Sequence, residues 1–299
     1  MIPLDLLARL VLVVGVLLAV SLVTIVGTPQ LRLLRWQLRA RLRAVYPYVG
    51  LLAAVLAVNS IARDLGKELS WLLDWNITGV IYAIEGEFVA ALQSAGSPAV
   101  TTFLSFAYVY GYVFLLVFPI LAYLALDDLD SFRRLTLAYG FNYAIGVCCY
   151  VLFIAYGPRN LMPELVDSLL YSNWPRSQLL TSEVNSNINV FPSLHTSLSV
   201  TVVVLAARTR RRYPAWLALS VPLAGSVVLS TMYLGIHWGV DVAAGTVLGV
   251  GSVLLADFVT DERGRQHRLD RTVRALVAAA RVRLRRGRAW LTGSRSSES

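Results

Sequence analysis

The 299-residue sequence predicts an all-α, polytopic membrane bundle. Three observations carry that reading. Hydrophobic residues make up 57% of the chain and charged residues 15%, with a mean hydropathy of +0.62; soluble domains have roughly 45–50% and about 25%. The apolar residues fall in blocks, most of them long enough to cross a bilayer, which takes about 20 helical residues. The basic residues stand at the ends of these blocks.

Seven spans follow in chain order, over 6–26, 45–60, 100–126, 136–155, 194–207, 214–233 and 240–259. The first is longer than the apolar region of a signal peptide, about 7–15 residues, and no small-residue cleavage site follows it, so it reads as a retained helix. The second and fifth are short, and their ends are expected to extend into the flanking interfaces. Segment 69–94 mixes Trp71, Trp75, Ile81, Tyr82 and Phe88 with Asp74, Glu85 and Glu87. That mixture reads as an interfacial or re-entrant helix. Segment 157–192 holds Pro158, Pro163, Pro175 and Pro192 and reads mainly as loop. From Asp261 onward, Leu269, Val273, Leu276 and Val277 recur at helical spacing among arginines, the pattern of a short amphipathic helix against the inner leaflet. The domain division is therefore 1–44, an N-terminal transmembrane helix and arginine-rich cytoplasmic loop; 45–259, the main transmembrane domain; and 260–299, an arginine-rich cytoplasmic tail.

The net charge of +9 is almost all arginine, Lys67 being the only lysine. Clusters lie at Arg32–Arg43, at Arg133 and Arg134, at Arg208–Arg212, and in the tail, with eleven arginines from Arg263 to Arg295. Seven spans with the N-terminus outside place all four clusters in the cytoplasm, as the positive-inside bias requires. The charge is thus explained by topology and anionic headgroups, and no nucleic-acid recognition motif accompanies it. Cys148 and Cys149 are adjacent inside an apolar block and match no metal or redox spacing.

Two histidines stand at external span boundaries beside other polar groups, and His267 lies in the tail. In Tyr233-Leu-Gly-Ile-His237-Trp-Gly-Val-Asp241, a helix beginning near Gly235 would put His237 and Asp241 on one face. An aspartate at the mouth of a span is costly unless paired. Bonded to one imidazole nitrogen, it fixes the tautomer and leaves the other nitrogen free as a nucleophile. In Phe191-Pro-Ser193-Leu-His195-Thr196-Ser197, Ser193 is a natural N-cap, and the N–H groups of the following first turn form an anion site. His195 is placed to protonate a leaving oxygen. Thr196 and Ser197 either donate to phosphate or cap the turn, and Arg159 supplies a cation suited to phosphate oxygens. The plainer reading is an ordinary capped helix and a structural His–Asp pair. An obligate metal is not expected, because there is no HExxH and no third external histidine.

These segments resemble the type 2 phosphatidic acid phosphatase (PAP2) superfamily. The resemblance rests on Gly157-Pro-Arg159, Phe191-Pro-Ser-Leu-His195-Thr-Ser197 and Tyr233-Leu-Gly-Ile-His237-Trp-Gly-Val-Asp241, and covers about 45–259. It implies a PAP2-like six-helix core, here with an additional N-terminal helix and an external interfacial helix. It also implies that His237 forms a phosphohistidine oriented by Asp241, that His195 is the general acid, and that Arg159 and Ser193 bind phosphate without cofactor or metal. Thr231, just before the third of these segments, and Tyr233, which opens it, are further candidates. Two departures bear on substrate. Leu194 replaces the glycine usual in phosphatases, and Ser230-Thr231 lacks the arginine usual after that serine. Both look more like the inositolphosphotransferase branch, which includes inositol phosphorylceramide synthases. The expected substrate is a phospholipid or polyprenyl phosphate among membrane lipids, cleaved by water or transferred to an alcohol or polyol acceptor at the extracytoplasmic face. The competing class is a transporter or inactive lipid-binding protein; alternating access would call for internal repeats, and no clear repeat is present.

Overall fold

The computed structural model describes residues 4–174 and 189–261. By contact density the chain divides into Met1–Ala256 and Asp257–Ser299. Of the second unit only the end of the last helix is described, so the predicted tail helix, His267 and part of the loop before Pro192 lie outside the described residues.

The regular elements among the described residues are helices. α1 (Leu4–Ser21) runs through a π-helical turn, Leu22–Val26, to Gly27, and α2 (Thr28–Leu73) follows. α3 (Thr78–Glu85) and α4 (Phe88–Ser94) are short. α5 (Pro98–Leu124) contains a π-helical turn at Ala107–Gly111. Then come α6 (Asp130–Leu152), α7 (Pro158–Leu161), α8 (Leu169–Asn173), α9 (Leu194–Arg208), α10 (Pro214–Tyr233) and α11 (Gly239–Asp261). Six of these helices are long and apolar enough to cross a membrane, and α9 is a shorter apolar helix. Among the described residues there is no sheet, only parallel bridges of Asn76 with Ile154 and of Ala155 with Asn189. Those bridges bring the segments before Pro158 and before Pro192 side by side.

Two sequence expectations need correction. The arginine-rich segment 28–44 is not a loop, because it continues into the second span as one 46-residue helix. Arginine is a good helix former, and the helix runs on through Pro47, which lacks the N–H that would bond the Arg43 carbonyl. At about 1.5 Å per residue, α2 is about 69 Å long, more than twice the hydrocarbon thickness. Second, the interfacial segment 69–94 is not one helix. It is the end of α2 followed by α3 and α4, separated where Asp74 adopts a left-handed conformation (φ 53°) and again at Gly86 (φ 59°).

One end of the bundle gathers arginines. The Arg41 guanidinium is buried against the C-terminus of α5, where Nη1 donates to the carbonyls of Leu124 (3.0 Å) and Leu126, while Nε and Nη2 hold Gln37 Oε1. A cation at a helix C-terminus is favourable in both charge and hydrogen bonding. Arg212 lies 3.9 Å from Asp127 in the same α5–α6 connection, and the Arg133 guanidinium sits over Tyr48. Three of the four arginine clusters therefore meet at one end.

Inside, α2 packs along α6, and α9 packs against α5, α6 and α10. Asn142 Nδ2 donates to Thr201 Oγ1 (2.9 Å), which reaches the Gly249 carbonyl (3.2 Å) and so links α6, α9 and α11. Such bonds between membrane helices contribute about 0.6–2 kcal/mol each. The outward faces are apolar: Val11, Leu12, Val16 and Val20 on α1 and Val247, Leu254 and Phe258 on α11 are all exposed, as lipid-facing positions should be. α9 and α11 approach closely through small residues. A Cβ on Gly245 would lie 2.5 Å from the Ser193 carbonyl oxygen, and one on Gly249 2.4 Å from that of Ser197.

Gly249→Val should therefore force the helices apart and lower the apparent Tm in detergent by more than about 5 °C. Gly251→Ala, whose Cβ meets nothing within 4 Å, should leave it unchanged. Thermal unfolding followed by size-exclusion chromatography reads both.

Candidate active site

At the opposite end of α5 from Arg41, the two histidine segments converge. Ser193 caps α9, its Oγ accepting from Thr196 N–H (3.3 Å) and from the Thr196 hydroxyl (3.0 Å). The Ser197 hydroxyl donates to the Leu194 carbonyl (3.2 Å). Ser193, Thr196 and Ser197 are all fully buried. A buried polar helix start inside an apolar bundle is a strong local electrostatic feature, because the first-turn dipoles are little screened.

The His237 segment is a turn, not a helix. α10 ends at Tyr233 and α11 begins at Gly239, so the helix expected from Gly235 starts four residues later. Gly235 takes φ 72°, and a Cβ there would strike Val166 at 2.8 Å, so the turn requires glycine. The Thr231 carbonyl accepts both Ile236 N–H and His237 N–H at 3.0 Å. Asp241 lies in the first turn of α11 and reaches back, its Oδ2 lying 3.3 Å from His237 Nδ1 and accepting Trp238 N–H at 2.9 Å. The predicted pairing of His237 with Asp241 thus arises by a different route, a carboxylate capping the helix that follows the histidine. His237 is 4% exposed and Asp241 0%.

Asp241 also ties the two segments together, since its backbone carbonyl accepts Ser193 N–H at 3.1 Å. The His195 and His237 ring centroids are 6.1 Å apart. His195 is clamped between Tyr108 (4.7 Å, stacked) and Tyr112 (4.4 Å). Tyr108 lies within the π-helical turn of α5 and Tyr112 directly follows it; such turns are frequent at functional sites.

Arg159 joins through the backbone. Its N–H donates to the Gly235 carbonyl (3.1 Å), and Gly157 lies so close to the Ile236 carbonyl that a Cβ would be 2.5 Å away. The side chain is 7% exposed and lies over the Tyr171 ring at 4.7 Å, with Nη2 donating to the Tyr171 hydroxyl at 3.3 Å. Nη1 is buried without a hydrogen-bond partner among the described residues. A buried guanidinium N–H left in that state is a strong anion-binding feature.

Thr231 and Tyr233 have other engagements. The Thr231 hydroxyl donates to the Val228 carbonyl (2.7 Å), and the Tyr233 hydroxyl pairs with Thr101 Oγ1 (2.8 Å). Leu194 fits over Gly146, where a Cβ would lie 2.7 Å from Leu194 Cδ2. Among the described residues no group of three His, Cys, Asp or Glu side chains could hold a metal ion. Sequence reasoning missed Tyr108, Tyr112 and Tyr171, whose roles depend on long-range contacts, and the glycines Gly245 and Gly249, whose spacing of four was the available signal. It treated Glu85 as an interfacial acid, whereas its carboxylate accepts Gly239 N–H (2.8 Å) and Val240 N–H (3.0 Å) at the start of α11.

A family model described as the PAP2 superfamily matches residues 83–255, more than half of the chain. The match contains both histidines, Asp241, Arg159 and Ser193, and leaves out α1 and α2, so it begins later than position 45. No curated protein and no solved structure shows a significant match.

The Asp241 carboxylate accepts from Nδ1 and so favours the Nδ1-protonated form of neutral His237. In Asp241→Ala no acceptor faces that proton, and 15N NMR of the imidazole should show the Nε2-protonated tautomer gaining population. An unchanged spectrum would remove Asp241 from that role.

Proposed function

The chain belongs to the PAP2 superfamily, and on that premise we propose that it is a membrane-embedded lipid-phosphate enzyme acting through a phosphohistidine on His237, with 45–259 as its catalytic domain. The observation that carries the proposal is the pair of imidazoles 6.1 Å apart, one backed by a carboxylate, with Arg159 tied by its backbone to the His237 turn and one guanidinium N–H without a partner among the described residues. At that spacing one phosphorus can be attacked from one ring while its leaving oxygen is served by the other.

In the first step His237 Nε2 attacks phosphorus, the P–O bond to the lipid alcohol breaks, and His195 gives its proton to the departing oxygen. Asp241 holds the Nδ1 proton and the charge that develops on the ring. Arg159 Nη1 and the first-turn dipoles of α9 stabilise the phosphoryl oxygens. Ser193 Oγ accepts two bonds from Thr196, so its own hydrogen is left for a phosphoryl oxygen. In the second step His195, now neutral, takes a proton from water or an acceptor alcohol, whose oxygen attacks phosphorus as the P–N bond breaks. No metal is used.

Hydrolysis and transfer differ only in that last nucleophile. Leu194 and Thr231, with no arginine following Ser230, favour the transferase reading of the inositolphosphotransferase type. Phosphate charge is then met by fewer cations, as suits a phosphodiester headgroup better than a phosphomonoester. A transporter or inactive lipid-binding protein would need none of this pairing.

Purified protein in EDTA-containing buffer, given phosphatidylinositol as a phosphodiester donor, dioleoyl phosphatidic acid or a polyprenyl phosphate, should form an acid-labile phosphoenzyme with the donor it accepts. His237→Ala should abolish it, and His195→Ala should slow its formation about 100-fold or more. A phosphoenzyme that survives in His237→Ala overturns the nucleophile assignment, and mass spectrometry of the products separates free phosphate from transferred headgroup.

We place this site on the extracytoplasmic face, following the arginine asymmetry. In a chain carrying Cys148→Ala and Cys149→Ala, a membrane-impermeant maleimide should label Thr102→Cys in intact cells and Arg210→Cys only after permeabilisation. The reverse pattern would put the chemistry in the cytoplasm.

A further inference from the structure

The turn from Leu234 to Trp238 carries His237 between two helix ends, and such ends leave carbonyls on one side and N–H groups on the other without intrahelical partners. Part of this need is met locally. Leu234 N–H returns to the Ser230 carbonyl, Gly235 N–H to that of Met232, and Trp238 N–H to Asp241. Arg159 N–H takes the Gly235 carbonyl, and groups at both ends of the turn are met from one distant segment. Gln93 Nε2 donates to the Tyr233 carbonyl at 2.9 Å, on the near side of the turn. The Glu85 carboxylate takes Gly239 N–H and Val240 N–H, one on each oxygen, on the far side.

We infer that α3 and α4 form a brace that fixes the His237 turn from both ends, with Glu85 and Gln93 as positioning residues for the nucleophile. The inference deepens the activity proposed above and rests on it. Gly86, at φ 59°, reverses the chain between α3 and α4 and lets both side chains face the same turn. Neither side chain is loosely held. Gln93 also clasps the backbone of Asp167, donating to its carbonyl and accepting its N–H, each at 2.9 Å. Glu85 fits because position 239 is glycine, where a Cβ would already lie 3.3 Å from the carboxylate. The brace has an apolar side as well. Ile81 and Val89 pack in one buried cluster with Trp238, the residue after His237, and Tyr82 meets the Trp238 ring edge-on at 6.2 Å.

The chemistry explains why a carboxylate suits position 85. Its charge lies at the positive end of α11, and two charge-assisted bonds fix an approach angle that a single neutral acceptor would not. His237 Nδ1 is 3.3 Å from Asp241, already long for a hydrogen bond. A small drift of the turn would break that contact, and misplacement by about 1 Å can cost about 100-fold in rate. Glu85 and Gln93 act through His237 rather than on a substrate.

The test uses Glu85→Gln, Gln93→Leu and the double variant in the full chain, with dioleoyl phosphatidic acid in detergent micelles as probe. Each single variant should lower kcat about tenfold or more while KM stays within about twofold. The double variant should lose less than the product of the two, because a turn released at one end gains little more freedom from release at the other. A lower Tm with kcat per folded molecule unchanged would make the brace purely structural and overturn the inference, as would a change in KM alone. If Glu85→Gln does not fold, Gln93→Leu decides by the same criteria. Wild-type turnover in the same assay separates failure of the activity from failure of the brace. Should wild type be inactive on this probe, binding of orthovanadate, a mimic of pentacoordinate phosphorus, is read by 51V NMR instead. About tenfold weaker binding in the variants supports the brace, equal binding overturns it, and no binding to wild type sinks both readings.

Discussion

A carboxylate buried completely within a membrane bundle must be paired or it destabilises the fold, and Asp241 meets that constraint through one oxygen while its backbone reaches a second segment of the site. Its Oδ2 faces His237 Nδ1 and Trp238 N–H, and its backbone carbonyl holds the N–H of Ser193. A single residue therefore fixes the orientation of one histidine and the helix start that carries the other. Because the carboxylate sits in the first turn of α11, it also lies at the positive end of that helix, where negative charge is favoured. The structural demand on the residue and the chemical use proposed for it coincide.

Close backbone approach makes this junction possible. Gly245 and Gly249 lie against the Ser193 and Ser197 carbonyls, Gly157 against that of Ile236, and Gly235 against Val166 and Arg159. Where helices are surrounded by lipid, association depends on tight packing and hydrogen bonds rather than on hiding apolar surface from water. The same glycines that let the helices approach bring the three polar segments within reach of one another. The Asn142–Thr201–Gly249 chain continues the cross-linking below the site.

The electrostatic design separates two kinds of arginine. Arg41 and Arg212 serve one end of the bundle, where they close a helix C-terminus and face an aspartate. Arg159, at the other end, is held by its backbone and by Tyr171 while one N–H remains unsatisfied. A satisfied cation is scaffolding, whereas one held rigidly short of a partner is preorganised for an anion.

The sequence by itself determined the all-helical membrane architecture, the position of most spans to within a few residues, and the segments that carry the polar chemistry. It could do so because hydropathy, arginine placement and capping residues such as Ser193 act locally. The span 214–233 and the N-cap at Ser193 were readable for that reason. Local pattern misjudged continuity at α2, where an arginine-rich stretch reads as loop although its backbone prefers helix, and at His237, where the spacing of four suggested a helix face. Only the tertiary structure decided that His195 lies between Tyr108 and Tyr112, that Arg159 rests on Tyr171, and that Glu85 and Gln93 hold the two ends of the His237 turn. Those relations join residues from 12 to more than 150 positions apart. They depend on how helices pack and where glycines let backbones touch, and no local window of sequence contains that information.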